Sequence, residues 1–81
     1  MLYKIPLLLS PQPEGGYTVT SPLLPELVTE GDTAEEVMEN VRDALEAVIE
    51  AYQELGRPLP PELTQGEPTA PVLLETLVTA P

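Results

Sequence analysis

Eleven prolines punctuate this 81-residue chain, and they leave one stretch long enough for a substantial helix. From Asp32 to Leu55 neither proline nor glycine interrupts the sequence, whereas no other uninterrupted run exceeds nine residues. Proline lacks an amide donor and restricts the residue before it. Outside that stretch the chain is therefore confined to short strands, bends and stiff connectors.

The helix is marked at both ends. Thr33-Ala34-Glu35-Glu36 forms a capping box, in which the threonine hydroxyl accepts from the third amide and Glu36 reaches back to the Thr33 amide. Asp32, Glu35 and Glu36 add negative charge at the positive end of the helix dipole. Ala34, Val37, Met38, Val41, Leu45, Val48, Tyr52 and Leu55 step by three and four and define the face expected in the core. Gly56 suits the C-terminal cap and Pro58 prevents resumption, so about 22 residues spanning roughly 33 Å are expected.

Before the helix, Tyr3, Ile5, Leu7 and Leu9 alternate to one side of an extended segment and Leu2, Lys4 and Leu8 to the other. Pro6 makes this an edge strand or a bulged one. A loop at 10–16 ends in two glycines and feeds Tyr17-Thr18-Val19-Thr20, which predicts a hairpin. Pro22-Leu23-Leu24-Pro25 is a rigid bend, and Leu27–Glu30 makes a short third strand closed by Gly31. After the helix, residues 57–71 read as a proline-rich connector with one turn at Pro61-Glu62-Leu63, and 72–79 as a last strand. The order β-β-β-α-β within one domain over 1–81 is an α+β fold: a small antiparallel sheet with one long helix on one face.

Charge narrows the function. Fourteen acids against three bases give a net charge of −11, and Lys4, Arg42 and Arg57 are scattered. Duplex DNA requires several bases to neutralise phosphates, and an anionic membrane repels such a chain. The chain has no Cys and no His, which removes thiolate and imidazole chemistry. No cofactor or metal is expected. The N-terminal residues read neither as a leader nor as a spanning helix, so the cytoplasm is the expected compartment.

Residues 15–41 carry a Gly-Gly-Tyr strand at Gly15-Gly16-Tyr17, a Pro22-x-Leu24-Pro25 bend, and the turn Thr29-x-Gly31-Asp32-Thr33 leading into Glu35-Glu36. In these motifs the chain resembles the HicB-like antitoxin family, over Leu2 to about Pro60. Glu26 stands where that family's bend usually has glycine, and Leu27 where cysteine is common. The resemblance implies a trimmed RNase H-like domain that binds and silences a small basic RNA-cleaving toxin of the HicA type. Many members continue into a DNA-binding module, whereas the residues after Gly56 are proline-rich with Arg57 as their single base, so the chain resembles the short, stand-alone class.

Catalysis is not expected despite the RNase H likeness. Two-metal phosphoryl chemistry needs carboxylates converging from strand ends, whereas the first strand has none and Asp32, Glu35, Glu36 and Glu39 cluster at the helix start. The candidate binding residues are Leu23 and Leu24 in the bend and the acidic stripe Glu39, Asp43, Glu46, Glu50 and Glu54. That stripe reads either as a solvated face or as a docking surface for a basic partner. Apolar residues on both sides of the outer strands exceed what one helix covers, which points to a homodimer or larger oligomer through Leu2, Leu8, Leu73 and Leu77. The alternative function is a structural or regulatory homo-oligomer with no toxin partner.

Overall fold

The computed structural model describes residues 3–65 and Pro71. Leu2, Leu73, Leu77 and the expected last strand at 72–79 lie outside the described residues. Three strands, β1 (Leu8–Pro11), β2 (Tyr17–Thr20) and β3 (Val28–Gly31), form an antiparallel meander in the order β1-β2-β3. The helix α1 (Ala34–Glu54) follows, and a short 3₁₀ helix spans Pro61–Gln65. This is the expected α+β arrangement of a three-stranded sheet followed by one long helix.

The first ladder is shorter than alternation predicts. Leu8 pairs with Thr20, Leu9 with Val19, Ser10 with Thr18 and Pro11 with Tyr17. Continued backward, this register sets Pro22 against Pro6, and neither residue has an N–H to donate. Pairing stops there. Residues 3–7 nevertheless keep the alternation, with Tyr3, Ile5 and Leu7 half-buried and Lys4, Pro6 and Leu8 exposed. The Lys4 amide donates instead to the Leu63 carbonyl at 3.0 Å.

Leu27 is likewise not a strand residue. Its amide donates to the Leu24 carbonyl at 2.9 Å, closing a turn, and β3 starts one residue later. Gly31 ends β3 where α1 comes closest. A Cβ there would stand 2.8 Å from the Val37 amide nitrogen, so only glycine lets the helix settle on this strand.

Helix α1 begins with the Thr33 half of the expected capping box: the Thr33 hydroxyl accepts from the Glu36 amide at 3.1 Å. It ends in a Schellman motif, with the Gly56 amide donating to Gln53 O and the Arg57 amide to Tyr52 O. Gly56 takes φ +66°, the left-handed conformation that this motif needs. Val37, Val41, Val48 and Tyr52 are buried. Each is worth about 1.5–3 kcal/mol when fully buried. That outweighs the few tenths of a kcal/mol per like-charge pair on the opposite face. Ala34, Met38 and Leu55 correct the expected core face, since all three are exposed. Leu55 is the C-cap, beyond the packed turns, and Met38 lies at the flank of the core-facing stripe.

Among the described residues the core has two parts. Val19, Val37 and Val41 pack with Leu7, Leu9 and Tyr17 between sheet and helix. Leu24, Leu27, Val48, Tyr52 and Leu63 form the second, where the bend, the C-terminal half of α1 and the 3₁₀ helix meet. Leu63 is fully buried, so the proline-rich segment is an integral part of the core at this point and not only a connector.

Candidate partner-binding surfaces

The acidic stripe survives folding as one exposed surface. Glu39, Asp43, Glu46, Glu50 and Glu54 are all exposed, on the side of α1 opposite Val37, Val41, Val48 and Tyr52. Spacings of three and four residues produce both faces from one periodicity. Arg42 is the sole base of the helix, and the stripe meets the exposed Asp32, Glu35 and Glu36 at its N-terminal end.

The bend divides its two leucines. Ser21 Oγ accepts from the Leu23 amide at 3.3 Å and tightens the corner. Leu23 stays half-buried, whereas Leu24 is fully buried among Leu27, Val48, Tyr52 and Leu63. Leu24 therefore serves the protein's own core, a correction to its expected place on a contact surface. The physical reason is that Pro22 and Pro25 fix a turn whose second leucine points inward.

Sequence reasoning missed what holds this bend. Tyr52 donates its hydroxyl to Glu26 Oε2 at 2.8 Å. Arg57 stacks its guanidinium 4.7 Å from the Tyr52 ring centroid and lies 3.5 Å from Glu26 Oε1. The Tyr52 hydroxyl holds the Glu26 carboxyl below its ordinary value, with smaller help from Arg57. Its bond to Glu26 in turn raises the Tyr52 phenol. Glu26 occupies the position where the resembling pattern has glycine, so the departure supplies the carboxylate of this lock. Nothing local in the sequence connects residue 26 with 52.

The sheet face turned away from α1 is a second surface. Leu8, Thr20 and Val28 form one row across the three strands. Leu8 is 60% and Val28 59% exposed. Next to this row, Pro6, Leu7, Leu8, Thr20, Ser21 and Pro22 line a shallow apolar depression. The other end of the face is polar, where Gln12 Nε2 donates to Thr18 Oγ1 at 2.8 Å and to Glu30 Oε2 at 3.1 Å. Of the residues expected at an oligomer interface, Leu8 is on this face. Val28 was not anticipated, although its alternation with buried Leu27 and Gly31 carried the signal.

Among the described residues, no group of three or more acidic side chains is arranged to hold a metal ion. Among them too, no helix is long and apolar enough to cross a membrane.

No family model matches the chain. It is 44% identical over 57 residues to "Antitoxin HicB 1" of Photorhabdus laumondii, covering 70% of this chain and 37% of that protein. It is 42% identical over 66 residues to "Antitoxin HicB" of Escherichia coli, covering 79% and 48%. A UPF0150 protein of Synechocystis is 34% identical over 61 residues, covering 75% of this chain and 77% of the relative. The chain thus spans less than half the length of the two HicB antitoxins.

Proposed function

The chain belongs to the HicB-like antitoxin family, and we propose that it acts as an antitoxin-type binding protein on a small basic RNA-cleaving toxin of the HicA type. The observation that carries this reading is the acidic face of α1. Five carboxylates, all exposed and on one side of the helix, complement a surface built to hold RNA. The protein then neutralises by occupying the place of RNA, without chemistry of its own. It requires no cofactor, and the cytoplasm, where such a toxin meets its RNA, is its compartment.

Charge alone does not supply the affinity. Exposed ion pairs are each worth about 0.2–1 kcal/mol, so an apolar anchor has to accompany them. Leu23 is the half-buried leucine of the bend and lies beside the exposed Pro22. It takes over the anchoring role in which Leu24 was expected to share.

The test is co-purification of the chain with a basic HicA-type protein, combined with an RNA-cleavage assay. The expected result is a stoichiometric complex in which cleavage is suppressed. A chain that neither binds nor silences any such protein sinks the antitoxin reading. The oligomeric scaffold then replaces it.

A further inference from the structure

We infer that Asn40 seals the outer edge of β3 against pairing with another strand, and that β3 of a second copy is the strand it keeps off. This inference does not depend on the toxin partner.

The ladders establish which backbone groups point outward. Bonded and non-bonded pairs alternate along an antiparallel ladder. The Gln12 amide donates to the Gly16 carbonyl at 3.0 Å, one step beyond the pair of Pro11 and Tyr17. Ser10 with Thr18 and Leu8 with Thr20 are therefore the bonded pairs of the first ladder. Thr18 and Thr20 turn their N–H and C=O groups toward β1, whereas Tyr17 and Val19 turn theirs toward Gly31 and Thr29. Val28 and Glu30 are left facing away from β2. Among the described residues no further strand lies beside β3, so the N–H and C=O groups of these two residues form its edge.

Helix α1 takes up one of those four groups. Val37 stands against Gly31, and Asn40, three residues on, lies on the same side of the helix. Asn40 Nδ2 donates to the Glu30 carbonyl at 2.7 Å. Among the described residues no other side chain of α1 hydrogen-bonds the backbone of a strand. Asparagine is less favourable than alanine inside a helix. This bond offsets that cost and fills the position that an incoming N–H would take.

The sealed edge is short and self-complementary. About a two-fold axis at Thr29, Val28 of one copy would meet Glu30 of the other and exchange N–H···O bonds, four across the pair. Two of the four end on a Glu30 carbonyl, the acceptor that Asn40 already occupies. The ladder has no room to lengthen and recover them. Before β3 the Leu27 amide closes a turn on the Leu24 carbonyl, and after Gly31 the chain enters α1.

Sedimentation velocity over a concentration series tests the proposal, at about 0.5 M salt to screen the repulsion between copies of net charge −11. Alanine is the better helix former, so Asn40→Ala leaves α1 intact. It is expected to associate at concentrations about tenfold lower than the wild-type chain, the effect of two bonds made available. Amide hydrogen exchange then finds Val28 and Glu30 newly protected in the associated species. Asn40→Lys, which sets a charge beside the edge, behaves as wild type. Thr33→Ala separates edge opening from loss of stability: it removes the helix cap, keeps Asn40 in place and leaves association unchanged. An Asn40→Ala chain that associates no more readily than wild type overturns the inference. So does association promoted equally by Thr33→Ala, or one in which the Val28 and Glu30 amides exchange as before.

Discussion

The Tyr52 hydroxyl donates to the Glu26 carboxylate at 2.8 Å, joining the last turns of α1 to the bend that precedes β3. Twenty-six residues separate the two, and Arg57, delivered by the Schellman turn at Gly56, completes the cluster. This fastening closes the second half of the core around Leu24 and Leu27.

It also makes stability depend on pH at both ends of the scale. Folding lowers the Glu26 pKa from its ordinary 4.5, so its contribution is present above that value and is lost as pH falls through the lower folded value. Folding raises Tyr52 from 10.0, so its contribution is present below that value and is lost as pH rises through the higher folded one. Urea midpoints should therefore drop at both extremes. Glu26→Gln should flatten the acid limb and Tyr52→Phe the alkaline limb, apart from what other groups contribute. Variants that follow the wild-type curve at both limbs would dissolve the assigned coupling.

Leu63 reports whether the proline-rich segment belongs to the folding unit. It is fully buried against Leu24, Leu27, Val48 and Tyr52, and its carbonyl receives the Lys4 amide. Leu63→Ala should lower the unfolding free energy by about 2–5 kcal/mol, the range for a buried leucine that leaves a cavity. A loss under ~0.5 kcal/mol in chemical denaturation would mark the segment as a mere tether.

Gly31→Ala probes the closest approach of helix and sheet. The added methyl would lie 2.8 Å from the Val37 nitrogen and 2.9 Å from its Cγ2, so either α1 or β3 has to move. Destabilisation of about 1–3 kcal/mol is expected, typical of overpacking. Thermal denaturation beside Thr33→Ala separates it from loss of the helix cap, which costs about 1 kcal/mol.

Reversing Glu46 and Glu50 to Lys should slow association with a basic toxin-type partner severalfold at low salt. These side chains are exposed, so their effect belongs to long-range attraction and to the association rate. Stopped-flow measurements should show the gap closing as the Debye length shrinks from ~10 Å at 0.1 M salt to ~3 Å at 1 M. An unchanged rate at low salt would reduce the stripe to a solvated face.

The chain alone should not bind duplex DNA. Its three bases are too few to displace counterions, against fourteen acids. Fluorescence anisotropy at low salt should show no saturable binding below tens of micromolar, roughly the strength of ordinary non-specific binding. A reproducible submicromolar constant would contradict this.

Local rules made the helix, the hairpin and the acidic stripe legible. The Thr33 cap, the Gly56 stop and the spacing of Val37, Val41 and Val48 need only neighbours within a turn or two. Strand β2 ran from Tyr17 to Thr20 as alternation required. Alternation over residues 3–9 does not locate β1 at Leu8–Pro11, because alternation cannot register a strand's partner. Only pairing reveals that Pro6 would face Pro22, with no amide on either side.

The sequence by itself determined the amphipathic helix, its caps, the proline-limited strands and the net charge of −11. These follow from covalent geometry and from side chains close along the chain. Tertiary structure decided what depends on distant partners: that Leu24 turns inward while Leu23 stays half-exposed, that Leu63 completes the core, and that Glu26 meets Tyr52 and Arg57. It also decided that, among the described residues, Leu8 and Val28 share the face of the sheet turned away from α1. Burial is a property of packed surfaces, and which of the described apolar residues stays exposed is fixed only when α1 settles on one side of the sheet.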